Sequence, residues 1–81
     1  MVIKAKIRTW EDMENQYGFT KLGSVAVPMG FPMAMEKRMP SNRVILIMSW
    51  GGKTGKWKDK KGKCWRITKE MIEEIIDTNP N

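Results

Sequence analysis

The segment SWGGKTGKWKDKKGKCW, residues 49–65, holds six lysines, four glycines and three tryptophans, with Asp59 as its one acid. The tetrapeptide DKKG is typical of a turn, with Gly62 near its end. On its two sides, Trp57–Lys58 and Cys64–Thr68 can pair as antiparallel strands. The sequence therefore predicts a strongly basic β-hairpin.

This segment carries the whole excess charge of the protein. The chain of 81 residues has a net charge of +6. Residues 49–66 contribute all of it, since the other residues hold eight basic and eight acidic side chains. A localised basic patch favours a polyanionic partner over simple solvation, because a hairpin that needed only solubility would more readily mix signs. Solvation alone remains the alternative.

The predicted partner is nucleic acid, with RNA or single strands favoured over duplex DNA, because no helix is basic enough to read a major groove. Binding would rest on phosphate neutralisation and on base stacking. Trp57 stands between two lysines and suits stacking, although it suits equally well a place over an open end of the core. The predicted binding residues are Lys53, Lys56, Trp57, Lys58, Lys60, Lys61, Lys63 and Arg66.

The first part of the chain predicts a strand followed by a helix. VIKAKIR (residues 2–8) alternates in polarity, which places Ile3, Ala5 and Ile7 inward. In TWEDMENQYG (residues 9–18), Thr9 is a good N-cap and Gly18 a good stop. The residues at helical spacing should face the core: Trp10, Met13 and Tyr17.

The remaining segments predict an α+β domain over residues 1–77 with a frayed tail, 78–81. Residues 23–30 indicate a short strand, residues 31–40 a short helix closed by proline, and residues 42–50 the central strand. TKEMIEEIID (residues 68–77) has the pattern of an amphipathic helix capped by Thr68. Its apolar face would consist of Met71, Ile72, Ile75 and Ile76.

Four methionines fall within eleven residues and form a candidate protein-binding surface. Met29 and Met33 are the predicted surface members, because flexible thioether side chains suit an adaptable partner surface. Met35 and Met39 are predicted to be core. An ordinary core helix that uses methionine is the alternative.

The composition argues against catalysis and against a metal or cofactor. The chain has no histidine and one cysteine, so zinc and iron–sulfur sites lack ligands. Gly52-Lys53-Thr54 matches the end of a phosphate-binding loop, but Ile47 stands where that motif needs glycine. Cys64 is expected to be a quiet, half-buried thiol. We expect a protein that is not an enzyme.

Membrane association is not expected. No apolar run reaches the roughly 18 residues of a membrane span, and the first residues do not form a signal peptide. The lone cysteine gives no reason for an oxidising compartment. The sequence predicts a soluble, intracellular protein.

Two segments carry a resemblance to a known group. IKAKIRTWEDMENQYG near the start and CWRITKEMIEEI near the end resemble a widespread group of small phage-encoded proteins. These share a [ST]-W-E-[ED]-M-E helix and a W-x-[IF]-[ST] motif before x-[ED]-M-I. Pro40, Ser41 and Asn42 replace a glycine that the group often carries. The resemblance implies a small SH3-like barrel or strongly bent antiparallel sheet with two or three short helices, in the cytoplasm of an infected bacterium. It implies no catalytic residue.

Size and charge also resemble those of T-even phage inhibitors of RNA-cleaving toxin–antitoxin systems. The expected function is that of a phage accessory protein that binds nucleic acid and antagonises a host defence factor. One alternative is an inhibitor that binds a host protein through the methionine-rich surface without touching nucleic acid. A weaker alternative is a virion or structural accessory protein. The oligomeric state stays open, a homodimer included.

Overall fold

The computed structural model describes residues 1–18 and 31–79. These residues form a small α+β fold with two helices and two antiparallel sheets that do not close into a barrel. The elements are β1 (Ile3–Ile7), α1 (Trp10–Tyr17), α2 (Phe31–Arg38), β2 (Val44–Ile47), β3 (Thr54–Lys58), β4 (Cys64–Thr68), a 3-10 turn (Lys69–Met71) and β5 (Ile72–Asp77). The strand predicted at 23–30 lies outside the described residues.

One sheet has the order β2-β1-β5, and the other consists of β3 and β4. Within the described residues a single bridge joins them, in which Met48 N donates to the Lys56 carbonyl at 2.6 Å and Lys56 N donates to the Met48 carbonyl at 2.8 Å. The central strand is therefore β1, and the expectation that residues 42–50 supply it is wrong. β1 is central because β2 pairs with one of its edges and β5 pairs with the other.

The inward faces of both sheets and one side of each helix meet in one apolar core. The alternation predicted for β1 is confirmed, since Ile3, Ala5 and Ile7 are all buried. Burying large aromatic side chains contributes much of the stability of so small a domain. The larger core members are Trp10, Met13, Met35, Ile45, Ile47, Trp50, Trp57, Trp65, Ile67, Met71 and Ile72.

The helix α1 begins and ends as predicted. Thr9 Oγ1 accepts a hydrogen bond from Asp12 N at 3.1 Å, and Gly18 adopts the left-handed conformation with φ of 62°. Trp10 and Met13 are buried as expected. Tyr17 is 37% exposed, so its predicted core position is wrong. It lies in the last helical turn, where its ring meets the Arg8 guanidinium at 5.9 Å.

The helix α2 also matches its predicted place and ends before Pro40. Met35 is fully buried and Met39 packs against the core, as expected. Glu36 ties this helix to its surroundings, because its carboxylate accepts from Trp10 N at 3.3 Å and pairs with the Arg43 guanidinium at 3.0 Å.

The amphipathic helix predicted at 68–77 is wrong. The chain makes one 3-10 turn at Lys69–Met71 and then runs as β5 along the free edge of β1. The acidic residues face basic partners there, since Lys4 lies opposite Asp77 and Lys6 opposite Glu74. This long-range pairing outweighs the local helical pattern. As a result Ile75 and Ile76, which the predicted helix would have buried, are half exposed.

Gly55 allows the two sheets to approach each other. A Cβ atom at this position would collide with Ile47 Cγ2 and lie 2.9 Å from the Met48 carbonyl oxygen. We therefore expect Gly55→Ala to lower the free energy of unfolding by roughly 1–3 kcal/mol, measured by urea denaturation. Gly51→Ala is the matched control, because an added Cβ there meets no atom within 4 Å. Equal stability of the two variants would contradict this packing.

Candidate nucleic-acid interface

The predicted basic hairpin is confirmed, and its register defines two faces. Lys58 lies opposite Cys64, Trp57 opposite Trp65, and Lys56 opposite Arg66. Since successive side chains of a strand point to opposite faces, both tryptophans belong to the inner face and the other four residues to the outer one. The alternation of buried and exposed residues along β3 and β4 agrees with this division.

The outer face of the hairpin is a cluster of cations. Lys56, Lys58 and Arg66 are all exposed on it. Lys56 and Arg66 are direct cross-strand partners, an arrangement that destabilises a sheet when both charges are alike. The fold therefore keeps a repulsive pair at a position where an opposite charge would stabilise it.

Asp59 organises the turn that joins β3 to β4. Its Oδ1 accepts from Lys61 N at 2.8 Å and from Lys63 N at 3.0 Å. Its Oδ2 accepts from Trp65 Nε1 at 2.8 Å and from Arg38 Nη1 at 3.1 Å. Four donors from the turn, the core and α2 thus converge on one buried carboxylate.

These contacts hold the Asp59 carboxylate in its ionised form. The hydrogen bond from Trp65 is the largest cause that lowers the pKa of Asp59 below 3.8, and it prevails over the opposing effect of burial. The amides of Lys63 and Lys61 and the charge of Arg38 lower this pKa further. The acid is therefore engaged inside the fold and does not neutralise the outer face.

The structure does not bring all the predicted lysines together. Lys60 and Lys61 are exposed at the hairpin tip, next to the outer face. The Lys63 ammonium lies 4.4 Å from the centre of the Trp65 ring. Lys53 precedes β3 at the other end of the hairpin, where its carbonyl accepts from Lys69 N at 2.9 Å. We call the group of Lys56, Lys58, Lys60, Lys61 and Arg66 the cationic face.

Trp57 is 6% exposed and belongs to the core. Of the two roles considered for it, the structure shows the one that covers the interior. Its position opposite Trp65 on the inner face is the reason. An exposed ring that could stack on a base is therefore missing at this position.

Cys64 is exposed on the outer face, so the expectation of a half-buried thiol is wrong. Side chains alternate between the two faces of a strand, so Cys64 shares the outer face of β4 with Arg66, whereas Trp65 points inward.

The predicted protein-binding residue Met29 lies outside the described residues, and so does the side chain of Met33, although its backbone belongs to α2.

Within residues 1–18 and 31–79, no three histidine, cysteine or acidic side chains come together in a group that could hold a metal ion. In the same part of the chain, no helix has the length and apolarity needed to cross a membrane.

Sequence reasoning missed the role of Asp59. An aspartate that opens a turn is a known signal for capping the amides that follow it. The hydrogen bond to Trp65 and the ion pair with Arg38 had no local signal, because they depend on the hairpin register and on the place of α2.

Comparison with known proteins adds no functional information. A scan of protein-family models and searches of curated proteins and of solved structures found no match to this chain.

Proposed function

We propose that this protein binds single-stranded nucleic acid, RNA in particular, through the cationic face. The observation that carries the proposal is the cross-strand cluster of Lys56, Lys58 and Arg66, which no carboxylate of the hairpin neutralises. Binding neutralises the repulsion between these side chains and releases counterions from the nucleic acid. A partner with evenly spaced phosphates fits this cluster well.

Sequence-independent contacts to the backbone follow from the composition of this face. Both hairpin tryptophans of the described structure are buried, so the outer face offers cations and no aromatic ring. Phosphate contacts position a nucleic acid, whereas base contacts specify its sequence. Neither described helix suits the major groove, since each has eight residues and α1 carries acids in its first turn.

We further propose an SH3-like arrangement for the fold. Through the Met48–Lys56 bridge, the strands follow one another in the order β5-β1-β2-β3-β4. A 3-10 turn precedes the last strand. This order and this turn are features of SH3-like barrels, and they support the arrangement although the two sheets stay open.

The biological role that fits best is that of a phage protein acting in the cytoplasm of an infected bacterium. Its resemblance to small phage proteins supports this, together with its affinity for RNA proposed above. By occupying RNA, it would antagonise a host factor such as an RNA-cleaving toxin. No catalytic step is needed for this role.

The test is a titration of the purified protein with labelled single-stranded RNA, single-stranded DNA and duplex DNA over a range of salt concentrations. If about four cations reach phosphates at once, log Kobs against log[salt] should fall with a slope of about −3, since each contact on a single strand contributes about −0.7. Absence of affinity for any of the three at low salt would refute the proposed function.

A further inference from the structure

A groove of about 610 Å³ opens beside the cationic face, between β2 and β3. These strands are bridged at Met48 and Lys56. The next residues in register would be Leu46 and Lys58, and within the described residues the two strands make no bridge there. The strands diverge from the bridge onward, and the groove occupies the space between them.

The backbone of both walls points into this groove. In an antiparallel strand, the N–H and C=O groups of successive residues point to alternate edges. Since Met48 pairs with β3, Leu46 presents its backbone groups on the same edge. Lys58 likewise presents its backbone N–H and C=O groups on the edge of β3 that faces β2, because Lys56 pairs with Met48 across that edge. An extended chain lying in the groove could pair with either wall.

The groove has an exposed apolar surface. Leu46 is 51% exposed, Val2 42% and Met48 38%. All three line the groove, together with Pro40. Contiguous exposed apolar side chains mark sites of interaction with proteins or ligands.

The rim of the groove is cationic. Lys58 and Lys60 are exposed on it, and Arg38 lies 32% exposed at its side. The acid in the lining, Asp59, is buried and bound by four donors. The charge left for an occupant to neutralise is therefore positive.

We propose that this groove binds an extended, acidic segment of a partner protein. Apolar side chains of the segment pack on Leu46 and Met48, its carboxylates pair with Lys58 and Lys60, and its backbone pairs with an open strand edge. The exposed part of the wall is aliphatic, because Trp57, the aromatic side chain in the lining, is only 6% exposed. Such a wall with backbone donors and acceptors favours a peptide over a nucleobase, which binds best by stacking on an accessible aromatic ring. The surface adds a protein partner to the proposed nucleic-acid function; it shares Lys58 and Lys60 with the cationic face, while its apolar wall is separate from that face.

The test uses a fluorescein-labelled synthetic peptide of about eight residues in which leucine and glutamate alternate, a length of roughly 26 Å when extended. Fluorescence anisotropy with the full chain measures its affinity. Two control peptides replace either every leucine by serine or every glutamate by glutamine. We expect binding of the first peptide and a loss of at least about tenfold for each control.

Protein variants locate the site. Leu46→Ser with Met48→Ser should weaken peptide binding at least about tenfold. Ile76→Ser is the matched control, because Ile76 is similarly exposed but lies outside the groove, and it should leave the affinity unchanged. Melting curves of all variants check that each is folded.

The outcomes separate this proposal from the nucleic-acid one. Lys56→Gln with Arg66→Gln should weaken RNA binding far more than peptide binding, since neither residue lines the groove. The proposal is overturned if the peptide does not bind, if the serine peptide binds equally well, or if the Leu46 and Met48 substitutions have no effect. A loss of RNA affinity with unchanged peptide affinity in the Leu46 and Met48 variant would assign the groove to nucleic acid instead.

Discussion

Replacing Asp59 by asparagine is expected to lower the melting temperature by more than about 10 °C. Asparagine has the same shape, so it creates no cavity. Its one carbonyl oxygen can serve the Lys61 and Lys63 amides, but its NH₂ group would then face Trp65 Nε1 and the Arg38 guanidinium. The buried Trp65 donor and the part-buried Arg38 donor would each meet another donor, and Arg38 would lose its counter-charge.

Asp77→Asn is the matched control for this measurement, recorded by circular dichroism. Asp77 is an exposed acid in β5, so the same loss of charge should shift the melting temperature by only about 2 °C. If both variants melt together, the carboxylate of Asp59 does not organise the hairpin.

The lowered pKa of Asp59 also predicts how stability depends on pH. A carboxyl whose pKa is lower in the folded state than in the unfolded state stabilises the fold when it is ionised. Its contribution is complete above the unfolded value, near 3.8, and is lost as the pH falls through the lower folded value. Melting curves below pH 4 should show this loss for the wild type, and Asp59→Asn should lack this component.

Replacing Lys56, Lys58 and Arg66 by glutamine is expected to lower the affinity for single-stranded RNA by about 100-fold in 0.1 M salt. Each phosphate contact on a single strand contributes about 0.7 to the salt slope, or roughly fivefold in affinity at this salt concentration. Loss of three contacts should therefore also reduce the slope from about −3 to about −1. The stability should not suffer, because the variant relieves the repulsion between Lys56 and Arg66.

The control for this variant removes the same charge elsewhere. Lys4, Lys37 and Lys69 are exposed residues outside the hairpin. Changing these three to glutamine should leave the salt slope nearly unaltered and weaken binding only slightly. Equal losses in the two variants would mean that net charge, and not the cationic face, determines binding.

Local patterns predicted those elements whose signals lie within the segment itself. Strand alternation identified β1, and Thr9 and Gly18 delimited α1. The DKKG turn located the hairpin. The helix predicted for residues 68–77 was wrong because the spacing of its isoleucines suits a helix. The strand with which this segment pairs, β1, lies some seventy residues away along the chain and leaves no local signal.

For the candidate site, composition identified the right segment but could not sort its members. Which basic residues share a face depends on the alternation of side chains along β3 and β4 and on the pairing of Lys56 with Arg66. The same register buries Trp57, which composition alone left open between two roles. The groove between β2 and β3 had no signal in the sequence, because it arises from the divergence of two strands that are joined by one bridge.

The pairing of β1 with β5 also bears on how the protein is made. During synthesis β1 leaves the ribosome well before β5, so its second edge is covered only once residues 72–77 have emerged. Such non-local pairing slows folding, since a long loop must close before any contact rewards it. Until then, Lys4 and Lys6 lack the acidic strand that lies beside them in the finished fold. The domain therefore completes its sheet after translation of β5, not progressively along the chain.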